Sequence, residues 1–140
     1  MNYNIAFVGL GSIATRHFKN VAAFLSSRGD TYCIDLYRSQ MRPLTEELQP
    51  LVKDVYLYAE EIPAERQYDV VFVTNPTSMH YETLVKFCKN TKSFFIEKPV
   101  FDSTNVDESI FEKLNGNKSY VACPLRYNAV LQYVKNNVDL

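Results

Sequence analysis

The sequence carries almost no net charge and has no long apolar run. Its 140 residues include 15 basic and 16 acidic side chains, which leaves a formal net charge of −1. This balance gives no reason to expect binding to DNA, RNA or an anionic membrane surface. The first apolar run breaks at Gly9, too soon for a signal peptide or a membrane span. We therefore expect a cytoplasmic protein that binds neither nucleic acid nor membrane.

Cysteine is also scarce. Cys33, Cys88 and Cys123 lie far apart, and each is embedded in an apolar segment. Their odd number and wide spacing argue against a disulfide framework and give no zinc-binding pattern. We interpret them as small buried side chains in a reducing compartment, and we expect no metal site. The length fits one domain of common size with a substantial core.

Two of the four glycines follow a short apolar strand, predicted over residues 5–8, at the start of the chain. Gly9 allows a tight turn, Gly11 has no Cβ to obstruct a pyrophosphate, and Ala14 lets the following helix approach the strand closely. The free N–H groups of that helix would hold the phosphates. The alternative is a turn that uses glycine for steric reasons only. The predicted phosphate-binding loop comprises Gly9, Leu10, Gly11, Ser12, Ile13 and Ala14.

Strands and helices alternate along the whole chain. This order predicts an α/β fold with a doubly wound, mostly parallel, Rossmann-type sheet in three α/β/α layers. We expect a dinucleotide-binding domain over residues 1–124 and, over residues 125–140, the start of a helix leading to an absent substrate domain. The predicted strands are 5–8, 32–37, 54–58, 69–74, 93–96 and 120–123. The predicted helices are 12–27, a short one capped by Ser39, one after residues 75–77, one opened by a Thr104–Asp107 capping box, and 128–140.

The polar and glycine-rich segments all follow predicted strand ends. Ligands of doubly wound sheets bind at the carboxyl ends of the strands, where the strand order reverses. We therefore expect one edge of the sheet to collect the segments 9–14, 37–39, 74–80, 97–99 and 123–128.

Four motifs, taken in order, resemble the N-terminal half of the glucose-fructose oxidoreductase and inositol dehydrogenase family, often called Gfo/Idh/MocA. They are the glycine loop at 9–14, Thr74-Asn75-Pro76-Thr77-Ser78-Met79-His80, Glu97-Lys98-Pro99 and Arg126-Tyr127-Asn128, and together they span essentially the whole chain. The resemblance implies an NAD(P)-dependent oxidoreductase that transfers hydride to or from a sugar, a nucleotide-linked sugar or a cyclic polyol. It also implies a later α+β domain that supplies most of the substrate pocket and a proton-carrying Asp and His.

The same resemblance implies that the chain is incomplete as an enzyme. Neither His17 nor His80 stands where the family's catalytic histidine would be. We expect the chain alone to be inactive and monomeric, and the intact protein to be a homo-oligomer. By resemblance, Lys98 lies near the nicotinamide and the reacting hydroxyl, where its ammonium group would stabilise a developing alkoxide.

The remaining site residues are expected to position the cofactor. Glu97 orients Lys98 or contacts a ribose hydroxyl, and a surface carboxylate without a role is the alternative. His80 bonds the loop backbone so that residues 75–77 lie beneath the nicotinamide ribose, and acid–base catalysis is the alternative. Thr74, Asn75 and Thr77 offer polar atoms, and Pro76 stiffens the turn. Arg126 faces the nicotinamide end or pairs with Glu97, and His17 is a packing or capping residue. The resemblance suggests a cis bond before Pro99, whereas trans is the default from sequence alone.

Cofactor preference should be decided at the end of the second strand. Asp35 is the candidate acid that would bind the adenosine ribose of NAD, but two strand residues follow it. Tyr37, Arg38 and Ser39 stand at the strand exit, where the arginine can pair with a phosphate and the serine adds a hydroxyl donor. This pattern favours NADP. NAD binding through Asp35 is the alternative.

Two other functions use a similar loop. A nucleotide sensor has the same fold without catalysis, and it needs no lysine at position 98. A methyltransferase that binds S-adenosylmethionine also places glycines after its first strand.

Overall fold

Residues 1–138 are described by a computed structural model, and in this part of the chain six strands form one sheet. They are β1 (Asn2–Val8), β2 (Thr31–Arg38), β3 (Asp54–Leu57), β4 (Val70–Val73), β5 (Ser93–Ile96) and β6 (Lys118–Val121). They lie in the order β3-β2-β1-β4-β5-β6, and each neighbouring pair is parallel. The order reverses between β1 and β4, which confirms the doubly wound Rossmann-type sheet.

Helices cover both faces of the sheet. They are α1 (Ser12–Ser27), α2 (His80–Phe87) and α3 (Ser109–Lys113). A fourth helix, α4 (Ala129–Asn137), buries none of its residues. On one face, α1 buries Phe18 and Leu25 in the same cluster as the strand residue Ile34. On the other face, α2 and α3 bury Leu84 and Ile110 among residues of the central strands. Burial on both faces explains the uninterrupted apolar strands, and it confirms the three layers.

An aromatic row crosses four neighbouring strands on the α1 face. Phe7, Phe72, Phe95 and Tyr120 are register partners on β1, β4, β5 and β6. Their successive ring centroids are 4.4, 5.0 and 5.6 Å apart. A shift of one residue in any strand would move its ring to the opposite face, so the row helps to fix the register.

The predicted helix after Ser39 is wrong. Residues 39–48 form a loop with no helix, and only a single 3₁₀ turn, Gln49–Leu51, follows. Two effects account for the difference. A residue that precedes proline avoids the helical region, which disfavours a helix through Arg42. The side chain of Arg38 also donates to the carbonyl oxygen of Arg42 and ties the loop to itself.

Several other boundaries differ from the sequence prediction, among them the start of β1, which is Asn2 and not residue 5. The predicted capping box of Thr104 and Asp107 does not form, because α3 begins at Ser109. Asp107 instead accepts hydrogen bonds from the backbone N–H (3.0 Å) and the hydroxyl (2.8 Å) of Ser109. Strand β6 begins at Lys118, two residues earlier than expected. The last helix ends at Asn137, and positions 139–140 of its predicted span lie outside the described residues.

The other sequence features can be checked directly. Cys33, Cys88 and Cys123 are free thiols, and all three are partly buried. Within residues 1–138, no helix has both the length and the apolar character needed to cross a membrane. The same part of the chain holds no group of three or more His, Cys, Asp or Glu side chains placed to bind a metal ion.

Candidate dinucleotide-binding site

A cleft of about 510 Å³ opens at the carboxyl edge of the sheet, where the strand order reverses. Doubly wound sheets bind their ligands at this position, and the volume lies within the usual range for ligand sites. Four segments that follow β1, β2, β3 and β4 supply most of its wall. The lining residues are Val8, Gly9, Leu10, Gly11, Tyr37, Arg38, Ser39, Gln40, Arg42, Tyr58, Thr74, Asn75, Pro76 and Met79.

Gly9 is held where no other residue fits. Its φ is +92°, in the left-handed region that favours glycine, and its N–H donates to the carbonyl oxygen of Tyr37 at 2.9 Å. A Cβ at this position would lie 2.7 Å from Cα and 2.8 Å from N of Asn75. The loops after β1 and β4 therefore pack backbone against backbone, and together they form the floor of the cleft.

The N-terminus of α1 opens into the same cleft. Gly11 precedes the helix, no side chain among residues 1–138 caps its first turn, and that turn contains no acidic residue. A Cβ at Gly11 would have no neighbour within 4 Å, so the space beside it is open. Ser12 and Ile13 are exposed in this turn, whereas Ala14 is fully buried and serves packing. Free N–H groups and the helix dipole make such a terminus a site for anions.

Thr74 fixes the glycine loop instead of offering its hydroxyl to a ligand. Its Oγ1 lies 3.0 Å from the carbonyl oxygen of Val8 and 3.2 Å from that of Gly9, and its backbone N–H also donates to Val8. The side chain is almost fully buried. Its role is therefore to hold the end of β1 against the end of β4.

A buried hydroxyl on α2 organises the far wall of the cleft. Thr83 donates to the carbonyl oxygen of Met79 at 2.8 Å. A hydroxyl has one hydrogen and two lone pairs, so its remaining partners donate to it. These are Asn75 through Nδ2 at 2.8 Å and Tyr58 through its hydroxyl at 3.0 Å. The network fixes the Asn75 amide and the Tyr58 ring, both of which line the cleft.

His80 links two loops behind the cleft. The side chain is buried, and Nε2 lies 3.0 Å from the carbonyl oxygen of Asn75. This contact with the 75–77 loop is the one that the sequence suggests. Nδ1 lies 3.1 Å from the carbonyl oxygen of Val100, a contact that the sequence does not suggest. His80 therefore connects the loop after β4 to the segment that follows Glu97-Lys98-Pro99.

The Glu97-Lys98-Pro99 segment follows β5 and lies outside the lining of this cleft, as do Thr77, His80 and Arg126. Glu97 accepts a contact from His17, with 2.5 Å between Nε2 and Oε1. The side chain of Lys98 is exposed, and the peptide bond between Lys98 and Pro99 is cis, not the default trans.

Arg126 does not pair with Glu97. Its guanidinium carbon lies 5.5 Å from the centre of the Tyr120 ring, a cation–π arrangement at the end of the aromatic row. Both residues follow or belong to β6, so Arg126 remains on the carboxyl side of the sheet, where the sequence predicts it.

Basic side chains dominate the cleft beside β2. Arg38 donates through Nη1 to the carbonyl oxygen of Arg42 at 2.6 Å, and the guanidinium of Arg42 donates twice to Oε1 of Gln40, at 3.2 and 2.6 Å. Ser39 lies between them in the lining, and no carboxylate among residues 1–138 lines the cleft. This end of the cleft is therefore positively charged.

Asp35 lies outside the cleft, buried within β2. Its Oδ2 accepts from Nη1 of Arg66 at 2.5 Å and from the hydroxyl of Tyr68 at 2.8 Å, and Tyr68 in turn meets the hydroxyl of Tyr37 at 2.8 Å. Burial raises the pKa of both tyrosines. Burial and the nearby Asp35 raise the pKa of Tyr56 to about 12. Asp35 thus belongs to an internal network and is unavailable to a ribose in the cleft.

Some residues that line or support the cleft are not predicted from the sequence. Gln40, Arg42, Tyr58 and Met79 line the cleft, and Thr83 supports it from α2. The only signal for the first three is that they follow the ends of β2 and β3. Their contribution depends on how the loops fold back, which no local pattern records.

Comparison with known proteins agrees with this geometry. Residues 3–121 match the model of the Gfo/Idh/MocA family, described as an oxidoreductase family with an NAD-binding Rossmann fold. The chain is 26% identical over 140 residues to scyllo-inositol 2-dehydrogenase (NAD(+)) of Bacillus subtilis strain 168, covering 96% of this chain and 39% of that protein. The chain thus spans about two fifths of the length of this relative.

Solved structures share the fold. Myo-inositol 2-dehydrogenase from Lactobacillus plantarum superposes with a TM-score of 0.79 at 20% identity, over 99% of this chain and 41% of the other. The WlbA dehydrogenase from Bordetella pertussis, in complex with NADH and UDP-GlcNAcA, gives a TM-score of 0.76 at 17% identity, over 99% and 42%. Because the family model matches residues 3–121, and because the cleft lies at the carboxyl edge of a doubly wound sheet, the chain belongs to the Gfo/Idh/MocA oxidoreductase family and carries its NAD-binding Rossmann fold.

Proposed function

We propose that this chain is the cofactor-binding part of an enzyme that moves hydride between a nicotinamide dinucleotide and a secondary alcohol of a sugar-like or polyol substrate. The observation that carries the proposal is the uncapped N-terminus of α1, which opens into the cleft between the bare backbones of Gly9 and Gly11. A diphosphate bridge fits there because the N–H groups and the helix dipole favour negative charge and no Cβ obstructs its approach.

The remaining wall matches the rest of a dinucleotide. Arg38, Ser39, Arg42, Asn75 and Pro76 all line the cleft. In the proposed complex, the first three would surround the adenosine ribose, and Asn75 and Pro76 would lie towards the nicotinamide. The cofactor supplies the hydride chemistry when bound, and the protein supplies orientation and charge. The direct test is titration of the chain with NADPH and NADH, with S-adenosylmethionine as the competing class. Stabilisation by S-adenosylmethionine alone would contradict the proposal.

We further propose that NADPH binds more tightly than NADH. Arg38 and Arg42 offer two guanidinium groups, whereas Asp35, the candidate for an NAD-type ribose contact, is paired with Arg66 away from the cleft. One charge-assisted hydrogen bond contributes about 1.5–3 kcal/mol, so the preference should be roughly tenfold to a hundredfold.

Charge-removing variants test this preference. We expect Arg38→Gln combined with Arg42→Gln to weaken NADPH binding far more than NADH binding. The matched control is Arg28→Gln, which removes one positive charge at the opposite end of α1, where the arginine pairs with Asp30. An equal loss of both cofactors in the double variant, or a preference for NADH in the wild type, would contradict the NADP proposal.

Lys98 is proposed to act on the substrate. Lys98 lies just past β5 on an exposed side chain, so a substrate bound at this edge of the sheet can reach its ammonium, which would stabilise a developing alkoxide. In the intact protein, we expect Lys98→Met to lower kcat by roughly 10²–10³, the usual effect of removing one such donor. Cofactor affinity of the 140-residue chain should change far less than kcat. Unchanged turnover in the variant would favour a sensor without catalysis.

The substrate domain is proposed to follow this chain and to pack on its last helix. Val130 and Tyr133 on α4, and Tyr127 just before it, are largely exposed although they are apolar or aromatic. The relatives named above are about two and a half times as long, and they include dehydrogenases named for inositols and one complex with UDP-GlcNAcA. We therefore propose a cyclic polyol or a nucleotide-linked sugar as the substrate class. The test is turnover of these two classes by the intact protein.

A further inference from the structure

His17 is a titratable side chain that the proposed function leaves unused. It lies on α1, five residues past the first helical position, and its side chain is 21% exposed. The ring packs edge-on against Phe95 at 5.0 Å between centroids and lies 6.3 Å from Phe72. Its Nε2 meets Oε1 of Glu97 at 2.5 Å. The contact joins the helix of the phosphate-binding loop to the segment that carries Lys98.

Glu97 has two nitrogen-bearing side chains nearby, those of His17 and Lys98, and only His17 contacts its carboxylate. Its Oε1 is bound to His17, and its Oε2 receives only a 3.3 Å contact from the backbone N–H of Lys98. Within residues 1–138, no carboxylate oxygen lies within 4.0 Å of the Lys98 ammonium. The carboxylate beside Lys98 in sequence is therefore turned towards α1.

We propose that His17 is a positioning residue, which holds the Glu97 carboxylate against α1 and so keeps it from pairing with the Lys98 ammonium. The inference rests on the role of Lys98 in the proposed function. An ammonium paired with a carboxylate is partly neutralised and fixed in direction, whereas an unpaired one can donate to a substrate oxygen. His17 thus acts on Lys98 only through Glu97.

The test measures how accessible the Lys98 amine is to reductive methylation with formaldehyde and cyanoborohydride, by mass spectrometry of the 140-residue chain. His17→Phe keeps the aromatic packing and removes the donor, so Glu97 is released towards Lys98. Methylation of Lys98 should slow roughly twofold to fivefold, the effect of one exposed ion pair. His17→Gln, which retains a donor, should react like the wild type. His17→Phe combined with Glu97→Gln should recover the wild-type rate.

Lys19 provides an internal control, because it lies on the same helix and pairs with Glu47. Its methylation rate should be the same in every variant. Equal Lys98 rates in the wild type and in His17→Phe would overturn the proposal. A faster methylation of Lys98 in Glu97→Gln alone would also overturn the proposal, because such an increase would mean that Glu97 already pairs with Lys98 in the wild type. This variant decides the question even where His17→Phe fails to fold.

A spectroscopic measurement gives a second, independent answer. Long-range ¹H–¹⁵N correlation of the His17 ring should show a proton on Nε2, and the ring signals should move in Glu97→Gln. A bare Nε2 would overturn the proposal. Neither experiment needs a cofactor, so failure to bind NADPH or NADH would remove the proposed function while leaving these results to stand or fall separately.

Discussion

Replacing Arg66 with methionine is expected to destabilise the fold through the carboxylate of Asp35. Asp35 is 3% exposed, and Arg66 is its charged partner, with 2.5 Å between Nη1 and Oδ2. The hydroxyl of Tyr68 also donates to Oδ2, but Oδ1 has no hydrogen-bond partner within the part of the chain that the structure describes. Methionine keeps an apolar stem near the Tyr56 ring, over which the guanidinium lies at 4.9 Å. It removes the charge and the donor.

The size of the effect follows from this geometry. Removing one partner of a buried ion pair costs about 3–5 kcal/mol, because the other charge is left uncompensated. The Arg66 side chain is 27% exposed, so water replaces part of its contact and the loss should fall at about 3 kcal/mol. That is a large share of the roughly 5–15 kcal/mol that stabilise a typical domain. The melting temperature should fall by about 10 °C.

Urea unfolding of the chain, followed by circular dichroism, measures this loss. The matched control is Lys92→Met, which removes the 77%-exposed partner of Asp69 and should cost less than about 1 kcal/mol. Adding Asp35→Asn to Arg66→Met should recover much of the stability, because the buried charge disappears. A loss below about 1 kcal/mol in Arg66→Met, or no recovery in the double variant, would refute the reasoning.

Two further predictions concern the close packing of Gly9 and the stability of the fold in acid. Gly9→Ala should lower both stability and cofactor affinity, because its Cβ would lie 2.7 Å from Cα of Asn75. The control is Gly29→Ala at φ +70°, whose Cβ meets no neighbour within 4 Å, so it should cost only the roughly 1–2 kcal/mol of left-handed strain. Equal losses in the two variants would contradict the close packing. The hydrogen bond from Lys92 is the main cause that lowers the pKa of Asp69 in the folded chain. The ionised Asp69 carboxylate should therefore stabilise the fold above about pH 4, and this contribution should be lost as the pH falls further. Asp69→Asn should therefore destabilise the chain at neutral pH but not at pH 2, as measured by urea midpoints across this range.

The fold could be predicted because its main determinants are local. The apolar runs of β1, β4 and β5 are readable as buried strands, and the order of strands and helices leaves a doubly wound sheet as the natural arrangement. The errors lie where side chains compete with helix formation. Arg38 bonds across the loop before Pro43, and Asp107 accepts hydrogen bonds from Ser109, where α3 begins five residues after the expected cap Thr104.

The site could be predicted only in part, for a similar reason. Gly9 and Gly11 follow directly from the backbone demands of a tight turn and a close approach. Thr83 supports the cleft from the interior of a helix, and it joins Tyr58, 25 residues earlier, to the loop that contains Asn75 and Met79. Asp35 is held by Arg66, 31 residues further along. A single sequence gives no direct record of such distant pairs, so the burial of Asp35 inside the sheet could not be predicted.

The inward orientation of Asp35 separates two properties that are often coupled in this fold. Asp35 of β2 is paired in the interior, and the arginines at positions 38 and 42 line the cleft. Under the NADP proposal, cofactor choice and folding therefore depend on different side chains. Substitutions at positions 38 to 42 should therefore exchange one nicotinamide cofactor for the other without loss of the stability that Asp35 and Arg66 provide. Among residues 1–138, neither Asp35 nor Arg66 forms a hydrogen bond or ion pair with positions 38 to 42, so substitutions there leave this buried pair in place.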